Sequence, residues 1–251
     1  KNNNIDGKTI KTRSVSEVLK RKYNVVFFDT QDLKESKLNI LKLLCLSLKH
    51  RHVYYIGARN NLEFFFPLLY IISKIRRSNI VYVTVGGWLF DFLTEKSTVY
   101  TYLVKSIKSV LVQTDYLKEK LESLGLENVT WIPNFRITNN YSVDLKQSDN
   151  VLRVVFMARI IREKGIYLIF DMLEEYSQSK DLFNRNIVVD FYGQVPSHEE
   201  EFFERIKLSN GLGSYKGLLD PKDIYNTLPE YDLLLLPTYY PGEGFPGTIL
   251  D

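Results

Sequence analysis

The sequence predicts an α/β protein made of two doubly wound domains, each a parallel sheet covered by helices on both faces. Short β-rich runs alternate with helix-length segments along most of the chain, which is the order of βαβ units. The predicted strands are continuous apolar runs without polar alternation, as expected for strands that are buried on both faces. A polar stretch near the middle interrupts this rhythm, which then restarts.

The first half of the chain contains four predicted strands and four predicted helices. The strands cover residues 24–28, 53–56, 80–85 and 109–113. The helices cover residues 14–22, 38–49, 60–77 and 89–106. Cys45 lies in an apolar run of the second helix, so we expect a packed core thiol. Because it is the single cysteine, an internal disulfide framework and a multi-cysteine metal site are excluded.

The second half repeats the pattern after a polar linker. Its predicted strands cover residues 153–157, 187–192, about 215–217 and 232–236. Its predicted helices cover residues 165–177, 199–208 and 220–226, with Pro221 in the first turn of the last. The predicted domains are 1–132 and 151–251, joined by the linker 133–150. The first domain opens without a strand and the second stops just inside a helix, so both are expected to be incomplete.

Charge is unevenly spread between the halves, with +9 over residues 1–150 and −6 over residues 151–251. A basic half could face an anionic substrate or an anionic membrane, and a set of solvated lysines explains it equally well. The longest apolar run, 64–72, falls short of the roughly 20 residues that a membrane-spanning helix needs. The run 62–69, followed by Lys74, Arg76 and Arg77, could dock on a membrane surface. A helix buried between strands is the preferred interpretation.

The stretch 243–251, EGFPGTILD, carries the strongest functional signal. It follows a predicted strand and loop, and its end begins a helix, a geometry that presents backbone N–H groups to a phosphate. Gly244 and Gly247 would let the backbone approach a ligand closely. The carboxylates of Glu243 and Asp251, one at each end, suit sugar hydroxyls, which donate hydrogen bonds to them.

A second signal is the basic segment after the predicted strand 153–157. Arg159 and Lys164 leave the carboxyl end of that strand, where ligands bind in open α/β sheets. Two cations there could neutralise a diphosphate and stabilise the charge that develops on a leaving group.

The two segments together resemble the donor-binding motifs of retaining glycosyltransferase family 4 (glycosyl transferases group 1), whose GT-B fold has two Rossmann-like domains. By this resemblance, Glu243 contacts the transferred sugar and Asp251 contacts the ribose of the nucleotide. Arg159 and Lys164 would hold the diphosphate. The family usually has glutamate where Asp251 stands and glycine where Ala158 stands. The resemblance also places Gly244, Phe245, Gly247, Thr248 and Gly193 in the donor site, and it makes Pro133 and Asn134 the crossover between domains.

On the acceptor side, residues 6–13 resemble the end of the family's Gly-rich loop, which makes Gly7 and Lys8 candidate acceptor-side residues. Ordinary surface residues are the alternative. Gly86, Gly87 and Trp88 follow a predicted strand at a place where the family often has a histidine. The glycines could let an acceptor approach the backbone, and Trp88 could stack on a sugar. A tight turn with a core tryptophan is the alternative.

The resemblance implies a retaining hexosyltransferase-type enzyme (EC 2.4) of bacterial polysaccharide biosynthesis, with a UDP- or GDP-sugar as donor. The acceptor would be a glycan, a lipid-linked glycan or a protein, and no nucleic-acid partner is expected. The single cysteine fits a reducing, cytoplasmic compartment. The basic N-terminal domain could bring the protein to the inner face of the membrane.

Metal-independent chemistry without a cofactor is expected, since histidine, acidic and cysteine clusters at metal-ligand spacing are absent from the sequence. Two alternatives stay open: a non-catalytic GT-B partner or chaperone subunit, and a sugar-nucleotide epimerase on the same fold.

Overall fold

The computed structural model describes residues 7–30, 32, 36, 38–57, 59–137 and 149–251. They form an α/β structure with two parallel four-stranded sheets, as the sequence predicts. The chain divides into two compact units. The N-terminal unit takes the described residues of Asp6–Phe135 together with Pro241–Pro246. The C-terminal unit takes those of Arg136–Tyr240 together with Gly247–Asp251.

The N-terminal unit has one parallel sheet with its strands in chain order. These strands are β1 His52–Tyr55, β2 Asn79–Val83, β3 Ser109–Val112 and β4 Val129–Trp131. The helices are α1 Gly7–Lys20, α2 Leu38–Lys49, α3 Arg59–Phe64, α4 Phe66–Arg76, α5 Leu89–Glu95, α6 Thr98–Lys105 and α7 Asp115–Ser123. Tyr55, Phe66 and Tyr82 meet in the core of this unit with ring centroids 5.2–6.0 Å apart.

Two helices that the sequence predicts as continuous are each broken in two. Pro67 stands in the first turn of α4, where its missing N–H costs nothing, so α3 and α4 are separate. Ser97 accepts a hydrogen bond from the Val99 N–H and caps α6, which separates it from α5. Helix α7 and strand β4 were not predicted from the sequence, although Thr114 caps α7 by accepting from the Leu117 N–H.

Two further predictions for this unit are wrong. Residues 24–28 are irregular rather than a strand, with Val26 and Phe27 exposed. A strand needs a ladder partner, and β1, at the edge of the sheet, pairs only with β2 among the described residues. Cys45 is exposed rather than packed, because it lies on the same outward face of α2 as the exposed Leu41 and Leu48.

The C-terminal unit has one parallel sheet with strand order β7-β6-β5-β8. Its strands are β5 Val151–Met157, β6 Asn186–Tyr192, β7 Gly213–Gly217 and β8 Leu233–Leu234. Its α-helices are α8 Ile166–Gln178, α9 Glu200–Leu208, α10 Ile224–Thr227 and α11 Gly247–Leu250. Single 3-10 turns occupy Arg162–Lys164, Lys180–Leu182 and Leu228–Glu230. Its core contains four phenylalanine rings in contact, Phe156, Phe170, Phe191 and Phe202, of which Phe170 and Phe191 are stacked.

Two elements of this unit are shorter than predicted. The helix expected at 220–226 begins only at Ile224, because Asp220 accepts from the Lys222 and Asp223 N–H groups and closes a turn first. The strand expected at 232–236 pairs only at Leu233–Leu234. Within the predicted linker 133–150, residues 138–148 lie outside the described residues.

Candidate functional site

The carboxyl edge of the C-terminal sheet is built from tightly apposed loops. The loop after β6 turns at Gly193, where an added Cβ would lie 1.7 Å from the Ala158 carbonyl oxygen. The Ile160 N–H donates to the Gln194 carbonyl, and the Tyr215 hydroxyl donates to the Gly193 carbonyl. Gly193 therefore lies at the predicted edge, where its lack of a side chain lets the loops after β5 and β6 touch.

The loop after β5 also contacts the loop after β8. Gly165 has φ 82° and ends the 3-10 turn, and a Cβ on it would lie 2.2 Å from the Pro237 carbonyl oxygen. The Tyr239 N–H donates to the Glu163 carbonyl at 2.9 Å. The 13-residue helix α8 begins directly after Gly165, so its first N–H groups lie at this edge.

Two of the three cations in the β5 loop lie against one aromatic ring. The Lys164 Nζ is 5.3 Å and the Arg159 Cζ is 5.8 Å from the ring centroid of Tyr240. Arg159 is exposed, and Lys164 is 9% exposed. The structure thus brings both predicted diphosphate ligands to one place, beside the start of α8. Sequence reasoning missed Tyr240, whose only signal is its place in the loop after β8.

The third cation, Arg162, points elsewhere. Its guanidinium lies 4.3 Å from the ring centroid of Tyr167 and pairs with the Glu201 carboxylate at 3.3 Å. The buried Glu199 fixes this turn by accepting from the Arg162 N–H at 3.3 Å and from the Tyr167 hydroxyl at 2.9 Å. Burial and this hydrogen bond to Glu199 raise the pKa of Tyr167. Glu199 therefore supports the turn that carries Lys164, a role that the sequence did not predict.

Asp251, the predicted ribose ligand, forms a buried ion pair with Arg136. The Arg136 Nε and Nη2 donate to its two carboxylate oxygens at 2.6 and 3.0 Å. The Tyr225 hydroxyl approaches the same carboxylate at 3.4 Å. The two side chains of the pair are 10% and 6% exposed. Asp251 is therefore held in one orientation by a partner 115 positions away in sequence, which sequence reasoning missed.

Gly247 and Thr248 lie beside this pair. A Cβ on Gly247 would come within 2.0 Å of the Arg136 Nη2, so the glycine makes room for the guanidinium. The Thr248 hydroxyl donates to the Met157 carbonyl at 2.9 Å, which attaches the start of α11 to the carboxyl end of β5.

The other half of the predicted motif packs in the N-terminal unit. Glu243, Gly244 and Phe245 belong to the segment Pro241–Pro246, which contacts residues at the carboxyl ends of β2, β3 and β4. The Gly87 N–H donates to the Gly242 carbonyl at 3.0 Å. Gly86 and Gly87, predicted as acceptor-side residues, therefore contact the chain's own backbone in this structure.

The remaining acceptor-side residues are in helices or turns. Gly7 and Lys8 belong to helix α1, so the loop predicted at 6–13 is helical from residue 7 onward. Asp6 lies outside the described residues. The indole of Trp88 donates to the Val85 carbonyl at 2.7 Å and packs edge-on against Phe92. Trp88 thus has the contacts of the tight-turn alternative.

A buried lysine underlies the loop after β2. The Lys11 ammonium donates to the Thr84 carbonyl at 3.0 Å, and the residue is 5% exposed. Desolvation lowers the pKa of Lys11 from 10.5 to about 8. Sequence reasoning did not single out Lys11, because α1 gives it the pattern of an ordinary surface lysine.

Two kinds of feature are missing from the part of the chain that the structure describes. Within the described ranges, no group of three or more His, Cys, Asp or Glu side chains is placed to hold a metal ion. Of the helices described above, none has both the length and the apolar character needed to cross a bilayer.

The comparison with solved structures finds glycosyltransferases. The lipopolysaccharide outer core galactosyltransferase WaaB in its apo form matches with a TM-score of 0.63 at 14% identity, over 99% of this chain and 74% of its own. The two-sheet architecture described above and this match agree. The chain has the GT-B fold.

Two further structures share the fold over a smaller part of their length. A mutant of S. aureus TarM, in complex with Fondaparinux, alpha-GlcNAc-glycerol and UDP, matches with a TM-score of 0.54 at 17% identity, over 74% of this chain and 36% of its own. The catalytic domain of Starch Synthase IV from Arabidopsis thaliana, bound to ADP and acarbose, matches with a TM-score of 0.55 at 11% identity, over 85% and 58%. The match with TarM thus spans about a third of that protein. No protein-family model and no curated protein sequence gives a significant match.

Proposed function

We propose that this protein transfers a sugar from a UDP- or GDP-sugar to a glycan, lipid-linked glycan or protein acceptor, with retention of configuration. The observation that carries the proposal is the pair of cations, Arg159 and Lys164, on the ring of Tyr240 at the carboxyl edge of a parallel sheet. Ligands of open α/β sheets bind at this edge, and the first N–H groups of α8 add to its attraction for phosphate. The GT-B fold supports the same assignment by analogy.

In the proposed reaction, the bond between the sugar C1 and the phosphate oxygen breaks, and its electron pair goes to the phosphate. The acceptor oxygen forms its bond to C1 on the same face, and its proton moves to the leaving phosphate. Arg159 and Lys164 stabilise the charge that builds on the diphosphate. Glu243 binds hydroxyls of the transferred sugar and sets its orientation. The chemistry proposed for these residues requires no metal ion.

Asp251 is proposed to contact the ribose while it remains paired with Arg136. A carboxylate offers about four lone-pair positions, and Arg136 and Tyr225 approach three of them. The ion pair would then orient the carboxylate rather than compete with the ribose. Replacing Arg136 would leave a buried, unpaired carboxylate, which is costly.

A matched pair of variants in one loop tests the diphosphate role. We would titrate the full-length protein with UDP and GDP by calorimetry, comparing Arg159→Ala with Arg162→Ala. Both remove one positive charge from the same loop, but Arg162 pairs with Glu201 and lies on Tyr167. Arg159→Ala should weaken binding about 10- to 100-fold, as expected for a charge-assisted contact, whereas Arg162→Ala should change it less than about threefold. Equal losses of affinity in the two variants would mean that the overall positive charge of the loop attracts the nucleotide, without a specific contact from Arg159.

The sugar role is tested with nucleotide sugars in the same titration. Glu243→Ala should leave the affinity for the free nucleotide intact and abolish donor turnover. Binding without any turnover, with or without a candidate partner protein, would favour the non-catalytic subunit instead. In that alternative, the Arg136–Asp251 ion pair serves only to stabilise the C-terminal unit, and Asp251 contacts no ribose.

We also propose peripheral contact with an anionic membrane through α3 and α4. Phe64, Leu68, Ile71 and Ile75 form an exposed apolar row, and Arg76 and Arg77 are exposed at its end. The protein should sediment with anionic vesicles and not with zwitterionic ones. Replacing Phe64 or Ile75 should reduce its recovery with the anionic vesicles. Equal recovery with both vesicle types would contradict the proposal.

A further inference from the structure

Two hydrogen bonds hold the backbone on either side of Glu243 in the N-terminal unit. The Gly87 N–H donates to the Gly242 carbonyl at 3.0 Å. The Asn134 Nδ2 donates to the Phe245 carbonyl at 3.1 Å. Residues 242 and 245 bracket Glu243, so these contacts fix the direction from which its side chain leaves the backbone.

Close backbone packing strengthens this arrangement. A Cβ on Gly87 would lie 2.7 Å from the Glu243 carbonyl oxygen, and a Cβ on Gly244 would lie 2.5 Å from the Gln113 Oε1. The segment therefore lies directly against the loops that follow β2 and β3. A side chain at either glycine would force it away.

The side chain of Asn134 is itself oriented by the chain. Its Oδ1 accepts from the Phe135 N–H at 3.1 Å, which leaves the Nδ2 directed at the Phe245 carbonyl. Both halves of the amide are thus used, and the half that reaches the Glu243 segment is the donor. An amide with both ends engaged sets position more strictly than a single contact does.

We infer that Asn134, together with Gly87, is a positioning residue that places the Glu243 carboxylate for the transferred sugar. This role rests on the proposed function, because it concerns how Glu243 is positioned and adds no new reaction. Neither residue touches the nucleotide in this assignment. Their loss should therefore change handling of the sugar and spare binding of the nucleotide.

The same fold supplies a matched control in Asn128. Its Nδ2 donates to the Val104 and Ile107 carbonyls at 2.9 and 3.0 Å. These contacts join α6 to the segment before β4 and involve no residue of 241–246. At either position, Asn→Asp removes the side-chain N–H group that donates to a backbone carbonyl. At position 134 the change keeps the oxygen that accepts from the Phe135 N–H.

The experiment compares Asn134→Asp with Asn128→Asp in the full-length protein, using the nucleotide and nucleotide sugar that bind wild type. Asn134→Asp should keep the affinity for the free nucleoside diphosphate within about twofold and lower kcat/KM for the donor sugar about 10- to 100-fold. Asn128→Asp should lower the denaturation midpoint and leave kcat/KM of the folded protein unchanged.

The possible outcomes separate this inference from the proposed function. If Asn134→Asp behaves like Asn128→Asp, the inference is overturned. If Glu243→Ala keeps wild-type turnover, the proposed function is wrong for Glu243, whatever Asn134→Asp does. If Asn134→Asp does not fold, Gly87→Ala takes its place, since it displaces the Glu243 backbone without removing a hydrogen-bonding side chain. Wild-type kcat/KM in folded Gly87→Ala would equally overturn the inference.

Discussion

The carboxyl edges of the two parallel sheets are both built from loops that follow the strands, but the groups that they present differ. In the C-terminal unit, the edge presents Arg159 and Lys164 beside Tyr240 and the start of α8. In the N-terminal unit, the corresponding edge presents glycine and amide groups that bind the backbone of residues 241–246. Lys11 lies beneath that edge, buried against the Thr84 carbonyl.

In this contrast, the proposed diphosphate site follows the local placement of charge rather than the net charge of each half. The N-terminal half carries +9 and the C-terminal half −6, yet the paired cations lie in the acidic half. The loop after β5 brings Arg159 and Lys164 together on the ring of Tyr240. We therefore expect the diphosphate of the proposed donor to bind the C-terminal unit.

The largest expected effect comes from a substitution that disrupts the carboxyl edge of the C-terminal sheet. Gly193→Ala would place a methyl group 1.7 Å from the Ala158 carbonyl oxygen, so the loops after β5 and β6 must separate. We expect a loss of about 3 kcal/mol or more in the free energy of unfolding. Gly211→Ala is the control, because Gly211 also has a positive φ, 84° against 155° for Gly193, but nothing lies within 4 Å of its added Cβ. Denaturant unfolding measures both, and equal losses would mean that the loop contact is unimportant.

The next effect concerns the N-terminal edge and depends on pH. The pKa of Lys11 is lowered from 10.5 to about 8, so between these values the unfolded chain binds more protons than the folded one. The free energy of unfolding should therefore rise with pH across this window, by up to about 3 kcal/mol from this group. Lys11→Met should remove the rise, while Lys20→Met, exposed on the same helix, should keep it. A wild-type profile parallel to that of Lys11→Met would refute the burial of this ammonium.

A smaller effect tests the ring that the two cations share. Tyr240→Leu removes the ring that holds both cations in place. It should weaken nucleoside diphosphate binding by up to about 5- to 30-fold, since two cation–π contacts of about 0.5–1 kcal/mol each are lost. Tyr240→Phe keeps the ring and should bind like wild type. If Phe loses as much affinity as Leu, the hydroxyl rather than the ring face is what matters.

The sequence predicted most of the fold because burial on both faces leaves a clear pattern. Strands such as 53–56 and 187–192 lie within a residue or two of their predicted bounds. The failure at 24–28 has a physical cause, because an apolar run becomes a strand only when a neighbour completes its ladder. Local capping by Ser97 and the turn at Asp220 likewise decide boundaries that an apolar pattern does not show.

The site was only partly predictable. Arg159 and Lys164 lie five positions apart in one loop, so their sequence shows that they share an edge. The contacts of Arg136 with Asp251 and of Asn134 with Phe245 span 115 and 111 positions. Such pairings are set by the tertiary fold, and no local pattern marks them. The roles of the predicted donor residues stay predictions until they are measured.

The most direct test of the central claim is a phosphate series. Calorimetry would compare the nucleoside, its monophosphate and its diphosphate, in the uridine or guanosine series that binds, on wild type and Lys164→Met. Methionine keeps the apolar stem of the nearly buried Lys164 and removes the charge. We expect the second phosphate to strengthen wild-type binding about 10- to 100-fold. Lys164→Met should reduce this gain to less than about threefold. Equal affinity of wild type for the monophosphate and the diphosphate would contradict a diphosphate site at Arg159 and Lys164.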